Sequence, residues 1–243
     1  MKGNCAYCGT VGDVTADHVF SRGLFPETYI RKPNVLTVPA CSTCNNGFSA
    51  DEEHFRVFLI NLSAEYSKEA DDILFSKIKR SIEKAPGKGH NILASMELVN
   101  LFDPEGNFLG EKTKIHISED DWRRHHRVLD KYIKGLFFAL KGRVLPSNYQ
   151  LRHILARPEK LAQFAAQIPN YNLDEKEIIV YGSNFIPNSD TSIWLTVFYD
   201  QVAFQTFLIS KEEMAKFERS KATSIKNLLR HIRAFLYRLI HTD

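Results

Sequence analysis

The sequence predicts an α+β fold in two parts, a small module over residues 1–62 and a larger α+β domain over residues 63–243. All four cysteines lie in the first part, together with short extended stretches and turn residues. The second part alternates segments of helical apolar spacing with segments rich in β-branched and aromatic residues. With 243 residues, 44% of them hydrophobic, the chain can bury a sizeable core.

The elements follow from local patterns taken in chain order. A helix is predicted for the segment DEEHFRVFLINL at the end of the first part, and another over residues 64–84, where apolar residues recur at helical spacing. Short strands are predicted within residues 92–117, around a turn at residues 103–107. Ser118, followed at once by three acidic residues, predicts the N-cap and first turn of the next helix.

Toward the C-terminus, helices are predicted over residues 158–166 and 211–239. The segments EIIVYGSNFI and SIWLTVFYDQVAFQTFLIS, which lie between them, are rich in β-branched and aromatic residues and predict a set of strands. No apolar stretch approaches the roughly 20 residues of a membrane-spanning helix, so no transmembrane segment is expected. No apolar region follows the lysine near the N-terminus, so we expect no secretory signal peptide and a cytoplasmic location.

The positive charge of the chain is concentrated in two places. The formal net charge of +3 is too small to indicate a partner by itself. One concentration lies between Trp122 and Arg143, and the other between Arg219 and Arg238. Both are candidate phosphate-binding surfaces, although a solvated helix face explains either one, taken alone, at least as well. Lys131 is one of the basic residues of the first concentration, and its candidate nucleic-acid contacts are Arg123, Arg124 and Arg127.

The cysteines form two CxxC pairs, Cys5 with Cys8 and Cys41 with Cys44, separated by 32 residues. This pattern indicates a tetrahedral thiolate site for structural zinc. Disulfides are the weaker alternative in a cytosolic chain, and a redox CxxC would not explain two copies. A site with four protein ligands leaves no open position, so this zinc cannot activate water. It would instead contribute folding free energy to a module with a small core.

A second motif lies between and directly after these pairs. Asp17 and His18 end a predicted strand, Asn34 precedes an apolar strand, and Asn45 follows the last cysteine at the start of a helix. In this order the residues resemble the HNH endonuclease family, in its zinc-stapled subgroup. The resemblance covers about residues 5–60 and implies a small zinc-stapled ββα-metal (HNH) module.

The resemblance also implies a role for each motif residue. His18 would be the general base that deprotonates the attacking water, and the carbonyl of Asn34 would orient it. Asp17 and Asn45 would supply oxygen ligands to a catalytic magnesium or manganese ion. Asn45 stands where many family members have a third histidine, and Asn46 is equally polar. The same change is familiar in the HNH domains of RNA-guided nucleases and does not indicate inactivity.

The implied reaction is hydrolysis of phosphodiester bonds in DNA, with RNA as an alternative substrate and a homodimer favoured if both strands are cut. Arg22 could touch phosphate. Two other hypotheses remain open: a non-catalytic zinc-ribbon protein that binds nucleic acid or regulates, and a toxin-like effector whose C-terminal part recognises a partner protein. His54, on the helix after the motif, is expected to lie on the helix surface.

Overall fold

A computed structural model of the protein describes residues 1–26, 36–74, 96–156, 168 and 178–219. These residues form both helices and sheets, which confirms the predicted α+β class. They fall into two compact units. The first comprises the described residues between Met1 and Val144, with residues 178–179 and Phe198–Val202, and the second comprises the other described residues.

Short antiparallel strand pairs form the sheets of the first unit. The described pairs are β1 (Lys2–Asn4) with β2 (Val11–Asp13), β3 (Thr15–His18) with β4 (Thr37–Ala40), and β5 (Met96–Phe102) with β6 (Phe108–Ile115). The β5–β6 hairpin confirms the strands predicted within residues 92–117. Its turn is closed where the backbone N–H of Asn107 donates to Oδ1 of Asp103 (2.7 Å).

The helices of the first unit follow the β3–β4 pair and the β5–β6 hairpin. Those described are α1 (Ser42–Asn46), α2 (Ser49–Ser63), α3 (Lys68–Ile73) and α4 (Glu119–Lys141), besides a 3-10 turn at Arg22–Leu24. Helix α2 confirms the prediction for DEEHFRVFLINL. Helix α3 lies within the helix predicted over residues 64–84, of which residues 75–84 are outside the described residues.

Helix α4 has strong signals at both ends. A capping box starts it: the Ser118 hydroxyl accepts from the Asp121 N–H (3.1 Å), and Asp121 Oδ2 accepts from the Ser118 N–H (3.0 Å). Gly142 ends it in the left-handed region at φ 66°, which glycine adopts without a Cβ penalty. The N-cap predicted at Ser118 is therefore confirmed.

Aromatic side chains pack α4 against α2. The rings of Phe55 and Tyr132 lie 6.2 Å apart, and His125 stacks on Phe58 at 4.5 Å. A Cβ on Gly135 would lie 3.0 Å from Cγ2 of Val19, so this glycine lets α4 pass close to the chain directly after β3. Because α4 shares this core, the compact unit continues to Val144 and does not end at the predicted boundary near residue 62.

The second unit is built on a four-stranded sheet. The strands lie in the order β7 (Tyr149–Ala156), β10 (Val202–Ser210), β9 (Ser192–Phe198) and β8 (Ile179–Phe185). Strands β8 to β10 confirm the predicted set, and β9 is buried along its whole length. Strand β7, which pairs antiparallel with β10, was not predicted.

A helix α5 (Lys211–Arg219) follows β10 and confirms the start of the helix predicted over residues 211–239. Residues 220–239 and the helix predicted over residues 158–166 lie outside the described residues. Within the part of the chain that the structure describes, no helix is both long enough and apolar enough to cross a membrane.

Candidate functional site

The four cysteines converge on one point. Their sulfur atoms all lie within 4.8 Å of one another, and those of Cys8 and Cys41 are 3.8 Å apart. A tetrahedral zinc site with Zn–S bonds near 2.3 Å requires sulfur atoms about 3.8 Å apart. All four residues are free thiols in the structure. The cluster can therefore hold a metal ion, and it is compatible with structural zinc.

Local backbone geometry brings each pair of cysteines to the cluster. After Cys8 the chain turns at Gly9, whose φ of 76° is left-handed and whose N–H donates to the Cys5 carbonyl (2.9 Å). Cys41 is the N-cap of α1, with Cys44 in that short helix. A hydrogen bond with the Thr10 side chain is the largest cause that lowers the pKa of the Cys8 thiol to about 6, whereas burial raises the pKa of Cys44. Cys8 is thus disposed to act as a thiolate, the form that binds metal.

The β3–β4 pair carries the other motif residues. Asp17 faces Val38 and His18 faces Thr37 in the register, and Asp17 is 8% exposed. The side-chain amide of Asn45 donates to Oγ1 of Thr15 (3.0 Å). Since alternate residues of a strand share a face, this hydrogen bond brings Asn45 to the face of β3 that carries Asp17. Asn34 lies outside the described residues.

His18 lies half-buried at the end of β3. Burial lowers its pKa most, and the nearby Arg22 cation lowers it further, while Asp17 opposes the shift. The ring is therefore neutral near pH 7, as a general base requires. Its Nδ1 is buried and has no hydrogen-bond partner within the described residues. Arg22 is exposed in the turn that follows, which places a cation beside the imidazole.

Lys131, one of the basic residues of α4, is a buried member of this site that the sequence did not single out. Its side chain is only 2% exposed. Its ammonium group lies 3.0 Å from Oδ2 of Asp17 and 2.7 Å from Oε1 of Glu52. It also lies 5.5 Å from the ring centres of Tyr7 and Phe48. One buried cation therefore joins α4 to the carboxylates of β3 and α2.

The position of Lys131 could have been suspected from helix geometry. It follows the apolar Val128 by three residues, so the two share a side of α4. The charge of the Lys131 side chain, taken alone, favours a solvent-exposed position. The favourable environment is supplied by Asp17 and Glu52, which are 114 and 79 residues away along the chain, and no local pattern reveals such partners.

Replacing Lys131 with methionine should lower the free energy of unfolding by about 3–5 kcal/mol, the usual cost of removing one partner of a buried ion pair. The change would leave Asp17 and Glu52 buried without their cation. Urea unfolding of the intact chain measures the effect, with Lys134→Met on the same helix as the matched control.

Adding Glu52→Gln to Lys131→Met should recover part of the loss, because one uncompensated charge is then removed. A Lys131→Met protein as stable as the Lys134→Met control would show that the ion pairs are not important for stability.

The predicted phosphate contacts on α4 are engaged within the unit. Nε of Arg124 lies 2.9 Å from Oδ1 of Asp51, and a terminal nitrogen of Arg127 lies 2.8 Å from Oδ2 of the same carboxylate. Arg123 pairs with Asp120 at 2.9 Å. Arg124 is half-buried, so its pair with Asp51 anchors α4 to the first turn of α2. Arg123 and its partner are exposed, and such a pair contributes little and exchanges readily with other anions.

His54 does not lie on the surface as expected, and that prediction was wrong. Helix α4 covers its side of α2, and its imidazole is buried. Nδ1 lies 3.1 Å from Nε2 of His125, and Nε2 lies 2.9 Å from Oδ1 of Asp121. The pKa of His54 is lowered, and burial is the largest cause. Burial is also the largest cause that lowers the pKa of His125, to about 3.

Comparison of the chain with protein-family models, with curated proteins and with solved structures found no match. The assignment of a function therefore depends on the residues and geometry of the site itself.

Proposed function

We propose that this protein is a metal-dependent endonuclease of the HNH type that hydrolyses DNA phosphodiester bonds. The observation that carries the proposal is the Asn45–Thr15 hydrogen bond of 3.0 Å. It joins the last turn of α1, one residue after the last cysteine, to the strand that ends in Asp17 and His18. Two sequence motifs about thirty residues apart thus meet on one strand, with the strand–strand–helix order of a ββα site.

His18 has the properties that the proposed base needs. Its pKa is lowered, so the neutral imidazole is available near pH 7 to take a proton from water. Nδ1 is buried without a partner among the described residues. A hydrogen-bond acceptor at that nitrogen would fix the tautomer that leaves Nε2 free to act as base. In the proposal this acceptor is the side-chain carbonyl of Asn34.

Asp17 and Asn45 would hold the catalytic ion. A carboxylate oxygen and an amide oxygen are hard donors, and with water and phosphate oxygens they suit magnesium or manganese better than zinc. Such an ion supplies stabilisation of negative charge on the scissile phosphate and the leaving oxygen. Lys131 engages Oδ2 of Asp17 and so restrains the orientation of this carboxylate.

The four thiols would hold zinc in a separate, structural role. All four positions of a tetrahedral ion are filled by Cys5, Cys8, Cys41 and Cys44, so no water is activated there. One part of the proposed site lies on β3, which comes after Cys8 in the chain. The other part lies on α1, which contains Cys44. The zinc would therefore fix β3 and α1 relative to each other.

The direct test is a plasmid-nicking assay of the intact wild-type chain with magnesium, with manganese and with EDTA. We expect supercoiled DNA to be converted to nicked or linear product only with a divalent ion. Accumulation of nicked circles indicates single sites acting alone, whereas direct conversion to linear product indicates paired sites in a dimer. Binding of DNA without cleavage under every metal condition contradicts the proposal.

Replacing Arg22 with alanine should weaken DNA binding with little dependence on sequence. The exposed Arg22 cation lies beside His18 and is the natural phosphate contact of the proposed site. Loss of one phosphate contact should reduce the slope of log K against log salt concentration by about 1. Fluorescence anisotropy at several salt concentrations measures the slope, with Arg152→Ala on β7 as the control. An unchanged slope contradicts the assignment of Arg22.

The second candidate function is a non-catalytic zinc-ribbon protein that binds nucleic acid. The observation that favours it is the buried ion pair of Asp17 with Lys131 at 3.0 Å, because this pair gives Asp17 a structural role without any metal. The nicking assay separates the two functions, since the zinc-ribbon protein would bind DNA and leave it intact.

A further inference from the structure

Two buried histidines meet between α2 and α4, away from the cysteines. Nδ1 of His54, on α2, lies 3.1 Å from Nε2 of His125, on α4. The two residues are 9% and 1% exposed. Aromatic rings enclose the pair, since His125 stacks on Phe58 at 4.5 Å and lies 5.6 Å from Trp122. This contact is therefore part of the packed interface between the two helices.

The contacts of the pair determine where its protons lie. Two ring nitrogens at 3.1 Å form a hydrogen bond when one carries a proton and the other a lone pair. We assign the proton of neutral His54 to Nε2, because this nitrogen lies 2.9 Å from Oδ1 of Asp121. Nδ1 of His54 is then the acceptor, and Nε2–H of His125 is the donor. Both rings are neutral in this arrangement, and each has one fixed tautomer.

The pair has no favourable position for one more proton. The remaining nitrogen, Nδ1 of His125, is buried and has no hydrogen-bond partner within the described residues. A proton there would create a buried cation without an acceptor. A proton on Nδ1 of His54 would instead face the N–H of His125 and break the hydrogen bond. A change of tautomer in His125 does not help, because it moves an N–H to the same position without a partner.

The surrounding charges do not compensate for this burial. The charged and titratable groups that face the pair are Asp51 on α2, Asp121, Arg124 and His126 on α4, and His116 after β6. The two carboxylates favour a proton on His54, whereas Arg124 disfavours a proton on either ring. Burial nevertheless has the largest effect on the pKa of both rings, and it lowers both.

From this geometry we propose that the His54–His125 pair is an acid-sensitive switch, which keeps α4 packed on α2 while both rings are neutral and opens this interface when the pair is protonated. In the unfolded chain the ordinary histidine pKa of 6.5 applies, and in the folded chain the pKa of both rings is lower. The folded protein therefore binds fewer protons than the unfolded chain below about pH 6.5. The contribution of the pair to stability is complete above that pH and is lost as the pH falls toward about 3.

Opening of this interface would also reach the candidate site, because Lys131 lies on the same helix, six residues after His125. Its ammonium group is 3.0 Å from Oδ2 of Asp17 only while α4 is packed in place. Acid would therefore withdraw this cation from Asp17 and Glu52. The switch itself does not depend on the proposed nuclease activity, and neither does its test.

The experiment is native-state hydrogen exchange of the intact, zinc-loaded chain between about pH 7.5 and 5.5, which gives the opening constant of the α2 and α4 amides. Each proton bound only in the open state raises this constant about tenfold per pH unit. His125→Phe removes one of the two rings that titrate and keeps an aromatic ring against Phe58. We expect the opening constant of this variant to rise about tenfold less per pH unit than that of wild type.

A matched control and a second measurement make the result specific. His126→Phe changes the exposed neighbour of His125 and should keep the wild-type pH dependence, and native mass spectrometry limits the pH range to that in which zinc stays bound. Nitrogen NMR of the wild-type imidazoles needs no variant and should show His125 neutral, with Nδ1 unprotonated, as long as the unit is folded. The inference is overturned if the two variants have the same pH dependence, or if His125 gains a proton while the α2 and α4 amides stay protected.

Discussion

Replacing Cys41 with serine is expected to abolish tight zinc binding and to unfold the first compact unit. The sulfur of Cys41 lies 3.8 Å from that of Cys8 and belongs to the four-thiol cluster. Structural zinc binding contributes about 10–16 kcal/mol at pH 7, whereas whole domains are stable by about 5–15 kcal/mol. Loss of a ligand therefore removes free energy comparable to the entire stability of the unit.

Native mass spectrometry and hydrogen exchange read out this prediction separately. Wild type should hold one zinc at the thiols, and the Cys41→Ser protein none. Amide protection should fall in α2 and also in α4, because α4 packs on α2 within the same unit, while the sheet of β7 to β10 keeps its protection. Ser42→Ala, an exposed neighbour of Cys41, serves as the control. A metal-free folded protein with two disulfides would be incompatible with the zinc interpretation.

Local sequence signals predicted the elements that depend on local physics. The capping box at Ser118 is set by the residues from 118 to 121, and the hairpin turn at residues 103–107 is closed by Asp103 and Asn107. The two CxxC pairs predicted the thiol cluster, since thiols at this spacing have few other uses. Strand β7 was missed because Arg152 and His153 interrupt its apolar pattern, and its pairing partner β10 lies about fifty residues later.

Partners distant along the chain account for what the sequence did not predict. His54 is buried because α4, some seventy residues later, covers it. Lys131 is buried because β3 and α2 each supply a carboxylate. The predicted boundary at residue 62 separated α2 from α4, which share one core. In an isolated segment the side chains of His54 and Lys131 would be exposed, and α2 and α4 would have no common core. Packing between segments that are distant along the chain changes both results.

These buried contacts also restrict how the proposed active site can work. Asp17, which would be a metal ligand, is held by a buried lysine and does not move freely in solvent. His18 lies next to it on a short strand whose register with β4 is fixed. Such preorganisation favours chemistry, because donors held in place do not need to reorganise when charge develops on the phosphate.

His18→Ala should lower the rate of metal-dependent DNA cleavage by about 10²–10⁴-fold, which is the usual contribution of a general base. The ring is half-buried and has no described hydrogen-bond partner at Nδ1, so its removal should cost little stability. Affinity for DNA should be unchanged, because the neutral ring contributes no charge to phosphate binding.

Single-turnover cleavage with saturating enzyme measures this effect without a contribution from binding. His126→Ala, which changes an exposed histidine outside the proposed site, should cleave like wild type. If His18→Ala retains the wild-type rate while EDTA still abolishes cleavage, the protein is a metal-dependent nuclease with another base. If cleavage is lost and imidazole in the buffer partly restores it, His18 acts as the base, because the small molecule replaces the missing function and not a missing fold.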